Sequence, residues 1–72
     1  MITDRDLKIR FTYHRPDEHK TARCQIIRET AHTFADLMRD HVPDGRELSL
    51  ALTKLEEVVM WANAGIVRHG SE

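Results

Sequence analysis

The segment from Arg46 to Arg68 carries more apolar side chains than one partner helix can cover. Its main apolar residues recur at alternating spacings of four and three, which is the period of one face of an α-helix. They are Leu48, Leu52, Leu55, Val59, Ala62 and Ile66. A second apolar group falls beside this stripe, because successive helical residues are rotated by about 100°. It consists of Leu50, Ala51, Val58, Trp61 and Gly65. The sequence therefore predicts a helix that packs on a second helix and also on another chain.

The small size of the chain makes assembly with other copies the expected source of stability. A single core in a chain of 72 residues contributes no more than about 3 to 5 kcal/mol unless disulfides, metals or oligomerisation add to it. Cys24 is the single cysteine, so no disulfide can form within the chain. A lone cysteine in a helical segment indicates a packed thiol in a reduced compartment.

Charge and hydropathy exclude two classes of partner. The formal net charge is −1, whereas binding to duplex nucleic acid needs an extended surface of positive charge. No segment approaches the roughly 20 apolar residues of a membrane span, and the N-terminus lacks the apolar core of a signal peptide. We therefore expect a cytoplasmic protein that binds neither duplex nucleic acid nor a membrane.

Residues 1–16 form an N-terminal arm with two competing patterns. Thr3 and Asp6 have the spacing of a capping box, which predicts one helical turn over residues 3–7. From Leu7 onward, apolar residues alternate strictly with polar ones, which predicts an extended segment with one buried face. The apolar members are Leu7, Ile9, Phe11 and Tyr13. Since an isolated strand leaves its backbone groups unpaired, we expect the arm to lie across helices of neighbouring subunits.

Two long helices account for the remaining residues. The first is predicted over 17–42, where an apolar stripe recurs at spacings of four and three. This stripe consists of Ile27, Ala31, Phe34, Met38 and Val42. The second is predicted over 44–69, and the breaker-rich connection at Pro43 and Gly45 makes the pair antiparallel. The predicted fold is all-α: an antiparallel two-helix hairpin with a short, partly extended N-terminal arm, forming one domain over 1–72 in a homo-oligomer. Gly65 indicates either a close approach between helices or a glycine tolerated near a helix end.

Catalytic and metal-binding patterns are weak in this sequence. Glu29 and His32 form a Glu-x-x-His pair, as in two-iron helical bundles. Both fall on the side of the helix opposite Ile27, however, so a solvated pair is the simpler interpretation. No nucleophile with an oriented base and no phosphate-binding glycine loop is evident. We expect no enzymatic activity, no cofactor and no metal.

Tyr13 is the strongest candidate for a binding residue. It is surrounded in sequence by cations: Lys8, Arg10, His14 and Arg15. An aromatic face beside cations can stack on a nucleobase and hold its phosphate. The alternative is that Tyr13 anchors the arm at a subunit interface.

Several blocks of sequence resemble a known family. They are Phe11-Thr12-Tyr13-His14 followed by Pro16, Arg46-Glu47, Ser49-Leu50-Ala51, Thr53-Lys54-Leu55-Glu56-Glu57 and Met60-Trp61-Ala62-Asn63-Ala64. Together they resemble the phage anti-CBASS cyclic-nucleotide sponges, whose hairpin is shared with phage anti-Thoeris sponges. The resemblance implies a homohexamer that sequesters cyclic dinucleotides, and in some members cyclic trinucleotides, without cleaving them. CBASS effectors in the cytoplasm of the infected bacterium would then stay inactive.

The resemblance also assigns roles to individual residues. Tyr13 would stack on a base of the cyclic dinucleotide. Arg28 would take the place of a basic residue, often lysine, that contacts phosphate. Arg68 resembles the basic residue near the end of the second helix that packs over the ligand from a neighbouring chain. Thr30 and His14 match positions near a separate trinucleotide site. Lys8 and Arg10 are further ligand-binding candidates, because they add positive charge around Tyr13.

One alternative function does not involve a nucleotide. The apolar second face of the second helix is also suited to docking a host protein, which would make the chain a non-catalytic interaction module.

Overall fold

The computed structural model describes residues 1–70, which contain three α-helices. They are α1 (Asp4–Phe11), α2 (Glu18–His41) and α3 (Arg46–His69). No residue among 1–70 lies in a β-strand. The all-α prediction is therefore confirmed, although residues 1–70 contain three helices and not two. Residues 71 and 72 of the predicted domain lie outside the described residues.

The predicted extended arm is wrong over residues 7–11, which belong to α1. The capping box at Thr3 starts this helix: the backbone N–H of Asp6 donates to Thr3 Oγ1 at 3.2 Å, and that of Thr3 donates to Asp6 Oδ2 at 2.9 Å. A strand here would have no partner strand among residues 1–70, whereas a helix satisfies its backbone groups internally. Local capping therefore prevails over the alternating pattern. The chain becomes extended at Thr12, which ends α1.

The capping box also perturbs the acidity of Asp6. Its pKa is lowered, first by the hydrogen bond from the Thr3 backbone N–H and then by the one from the Thr3 hydroxyl, with smaller effects of Arg10 and Arg5. These contacts favour the charged carboxylate, and a negative charge is favourable in the first turn of a helix.

The helices α2 and α3 pack against each other as the predicted hairpin. Asp17 caps α2 by accepting a hydrogen bond from the Lys20 backbone N–H at 2.8 Å. At the other end of α2, Val42 N–H donates to Met38 O at 2.8 Å, and the chain then turns through residues 43–45 into α3. Phe34, which we predicted on the packed stripe, is instead 52% exposed, while Ala35 is half-buried. The packed face of α2 is thus rotated away from Phe34.

The core of a single chain is very small. Among residues 1–70, only Cys24 and Leu48 are buried, each with 5% of its surface exposed. The molecule measures 45 × 31 × 16 Å, and its smallest dimension is little more than one helix diameter. A single layer of helices cannot enclose side chains on both sides.

A large apolar surface consequently remains exposed on one side of the hairpin. We call it the apolar flank; it consists of Ile26, Phe34 and Leu37 of α2 and Leu50, Val58 and Trp61 of α3. Gly65 serves no close approach within the chain, since a Cβ atom built there meets nothing within 4 Å.

Candidate functional site

An open groove of about 630 Å³ lies between α2 and α3. Its floor is apolar and its rim carries Arg28 and His32 of α2 and Glu56 of α3. The floor residues are Ala31, Ala35, Leu52, Leu55, Val59 and Met60. The alanines come from α2, so only small side chains line the floor on that side. Such a surface suits a flat apolar group that carries charge at its edge.

Arg28 is available to a ligand. Within residues 1–70, the side chains of Arg28 and Glu56 take part in no hydrogen bond and no ion pair. His32, by contrast, lies 3.5 Å from Asp36 on its own helix. A guanidinium beside an apolar floor can bind a phosphate in a bidentate manner. Glu56 places a negative charge at the other edge of the groove.

Tyr13 does not line this groove. It lies in the non-helical segment between α1 and α2, and 82% of its surface is exposed. Lys8 and Arg10 lie in the last turn of α1 and are exposed as well. One chain therefore presents an aromatic ring and a cation-rimmed groove as two separate surfaces.

Arg28 and Thr30 lie on opposite sides of α2. Two residues apart on a helix, they are rotated by about 200° relative to each other. Thr30 consequently shares a side with Ile26 and Leu37 of the apolar flank. Arg68 is half-buried near the end of α3 and does not line the groove either.

Two cations at the beginning of α2 hold the end of α3, and sequence reasoning missed them. Lys20 Nζ donates to Val67 O at 3.1 Å, and Arg23 Nη1 donates to Gly70 O at 2.9 Å. We call these two bonds the open-end clamp. Cations near a helix N-terminus oppose the helix dipole, but here they reach the negative end of the neighbouring helix. Two basic residues close to the N-terminus of a helix, where the helix dipole disfavours them, are the sequence feature that could have indicated these hydrogen bonds.

The side chains proposed for a two-iron site are engaged locally. Gln25 Nε2 donates to Glu29 Oε1 at 2.9 Å, while His32 pairs with Asp36. Within residues 1–70, no three His, Cys, Asp or Glu side chains are grouped as a metal site would require. None of the three helices combines the length and the apolar character that a membrane span needs.

The family model described as Acb2/Tad1, hairpin domain, matches residues 3–67. No match was found among curated proteins or among solved structures. The chain belongs to the Acb2/Tad1 hairpin family, the family of anti-CBASS and anti-Thoeris sponge proteins. These are phage anti-defence proteins that bind cyclic nucleotides.

Proposed function

We propose that this protein binds cyclic dinucleotides, and also cyclic trinucleotides, in the cytoplasm of an infected bacterium. By sequestering them uncleaved, it blocks the activation of CBASS effectors. The observation that carries this proposal is the apolar groove with the unengaged Arg28 at its rim, found in a chain of the sponge family.

The groove has the chemistry that a cyclic dinucleotide requires. Such a ligand has two flat bases and two phosphates, so it needs apolar surface next to positive charge. Arg28 supplies the charge, and the apolar floor residues, among them Ala31 and Val59, supply the apolar surface. The exposed ring of Tyr13 supplies a stacking surface, which contributes about 1 to 3 kcal/mol per base.

We further propose that the site is completed between chains of a homohexamer. Tyr13 and the groove are separate surfaces of one chain, and the apolar flank is a contiguous set of exposed apolar side chains of the kind that marks an interaction surface. A symmetric pair of chains repeats one tyrosine and one arginine, and so offers two of each to a ligand with two bases and two phosphates. The apolar flank is the surface through which such chains associate.

A separate trinucleotide site is compatible with this arrangement. Thr30 lies on the side of α2 opposite Arg28, so the two residues serve different surfaces. We propose Arg68, Lys8 and Arg10 as further contacts around the bound ligands. Their exposed or half-buried positions leave them accessible.

Calorimetry with cyclic di-AMP, cyclic di-GMP and cyclic GMP-AMP tests the proposal. Tyr13→Ala should lose most of the affinity, whereas Tyr13→Phe keeps the ring face and should retain it. Arg28→Ala should weaken binding by about 1.5 to 3 kcal/mol, and Arg28→Lys by less, because the charge survives. Arg39→Ala is a matched control, since this exposed arginine of α2 forms ion pairs with Asp36 and Asp40 and does not line the groove.

Two results would contradict the proposal. Equal affinity of the wild type, Tyr13→Ala and Arg28→Ala would remove both residues from the site. Recovery of a linear or hydrolysed nucleotide after heat denaturation of the complex would show turnover and would exclude a sponge.

The apolar flank also supports a second candidate function, the docking of a host protein. Trp61 is 67% exposed and lies near Val58 on the same side of α3. If the flank docks a host protein, wild-type protein should be monomeric at micromolar concentration, and Trp61→Glu should abolish capture of that protein. If it joins identical chains, Trp61→Glu should change the oligomeric state of the purified protein.

A further inference from the structure

The ring of His14 ends α1 with a hydrogen bond. Its Nε2 lies 2.6 Å from Ile9 O and the side chain is half-buried. Because a carbonyl oxygen can only accept, the ring nitrogen is the donor. The last carbonyls of a helix have no partner within the helix, and histidine side chains can satisfy them. His14 therefore acts as a side-chain cap for α1.

A second hydrogen bond constrains Thr12, the residue that precedes Tyr13. The backbone N–H of Thr12 donates to Lys8 O at 3.0 Å. Both neighbours of Tyr13 are thus attached to the last turn of α1, while the tyrosine ring remains exposed. An exposed residue in a non-helical segment loses conformational entropy when a ligand orders it, and prior attachment reduces that loss.

We propose that His14 is a positioning residue, which holds the backbone of Tyr13 in the geometry needed for stacking. The inference rests on the proposed function, in which Tyr13 stacks on a base. It differs from a direct contact between His14 and the ligand, because His14 acts on affinity only through Tyr13.

Two substitutions separate the hydrogen bond from the bulk of the side chain. His14→Leu removes the donor and keeps an apolar side chain of moderate size. His14→Gln places an amide N–H donor at about the same reach as Nε2. We expect His14→Leu to weaken binding of cyclic di-AMP, cyclic di-GMP and cyclic GMP-AMP by about two- to tenfold, the effect of one lost hydrogen bond. His14→Gln should recover most of this loss, and a loss equal to that of His14→Leu would overturn the inference.

A double-mutant cycle distinguishes positioning from direct contact. In a Tyr13→Ala background, His14→Leu should cause no further loss of affinity, because the ring that His14 positions is gone. An undiminished loss in that background would show a direct contact and would overturn the inference. If His14→Leu binds with wild-type affinity while Tyr13→Ala binds weakly, the positioning role of His14 is rejected and the stacking role of Tyr13 is retained. Wild-type affinity of Tyr13→Ala would reject the stacking role on which it rests.

Measurements without ligand provide an independent test. Amide hydrogen exchange at Thr12, whose N–H donates to Lys8 O, should be faster in His14→Leu than in wild type, with an unchanged oligomeric state in light scattering. Equal exchange rates would overturn the inference. Loss of assembly would also overturn it, since His14 would then be an interface residue.

Discussion

Replacing Lys20 with Met should weaken the hairpin at the end farthest from its turn. Methionine keeps most of the apolar stem and removes the ammonium group that donates to Val67 O at 3.1 Å. A hydrogen bond to a charged group contributes about 1.5 to 3 kcal/mol, and the half-buried position of Lys20 favours the lower end of that range. Removing a cation from the first turn of α2 returns about 0.3 to 0.5 kcal/mol through the helix dipole. The expected net loss is about 1 kcal/mol in the free energy of unfolding.

Urea unfolding followed by circular dichroism measures this difference. All variants must be compared at one protein concentration, since association makes the apparent stability depend on concentration. Lys54→Met is the matched control: Lys54 Nζ pairs with Glu57 Oε2 at 3.2 Å, but both side chains are exposed. An exposed pair at this spacing contributes only about 0.3 to 0.5 kcal/mol. Equal losses for Lys20→Met and Lys54→Met would refute the reasoning that the open-end clamp stabilises the hairpin.

Changes at the apolar flank, the groove rim and the N-terminal cap have separate expected outcomes. Trp61→Glu should split the oligomer, because an unpaired interface charge costs several kcal/mol; light scattering that finds a monomeric wild type at micromolar concentration would contradict this. Glu56→Gln should tighten cyclic dinucleotide binding at low salt by removing a negative charge near the phosphates, and weaker binding in calorimetry would contradict it. The pKa of Asp6 lies below its ordinary value of 3.8, so its stabilisation of α1 is complete above that value and is lost as the pH falls through the lower, folded pKa. The protection of the α1 amides relative to their intrinsic exchange rate at each pH should therefore fall on acidification in wild type but not in Asp6→Asn, and a parallel response of the two proteins would exclude the capping role.

The hairpin could be predicted because its signals are local. Apolar residues at spacings of four and three define the facing stripes, and Pro43 and Gly45 break the chain between them. The form of the arm could not be decided in this way, because its alternation and its capping box predict different structures. Alternation predicts a strand correctly only where a partner strand exists, and the described part of the chain offers none.

The site could be predicted only in part, because it depends on how the helices are rotated against each other. Sequence spacing puts Phe34 on the packed stripe, whereas the actual packing turns α2 so that Ala35 takes that place. The same rotation brings Arg28 to the groove. The open-end clamp joins residues 47 positions apart, and a register over that distance depends on the exact length of the turn.

The short connection between α2 and α3 also determines the order in which the hairpin forms. Closing a loop of a few residues costs little entropy, so we expect pairing to begin at residues 42–45 and to extend outward along both helices. The open-end clamp is then absent from the transition state, and its removal should accelerate unfolding while the folding rate stays constant. We therefore expect the hairpin to fray first where Asp17 begins α2. Because the segment carrying Tyr13 joins the hairpin at this point, the open-end clamp should also limit the motion of that segment relative to α3.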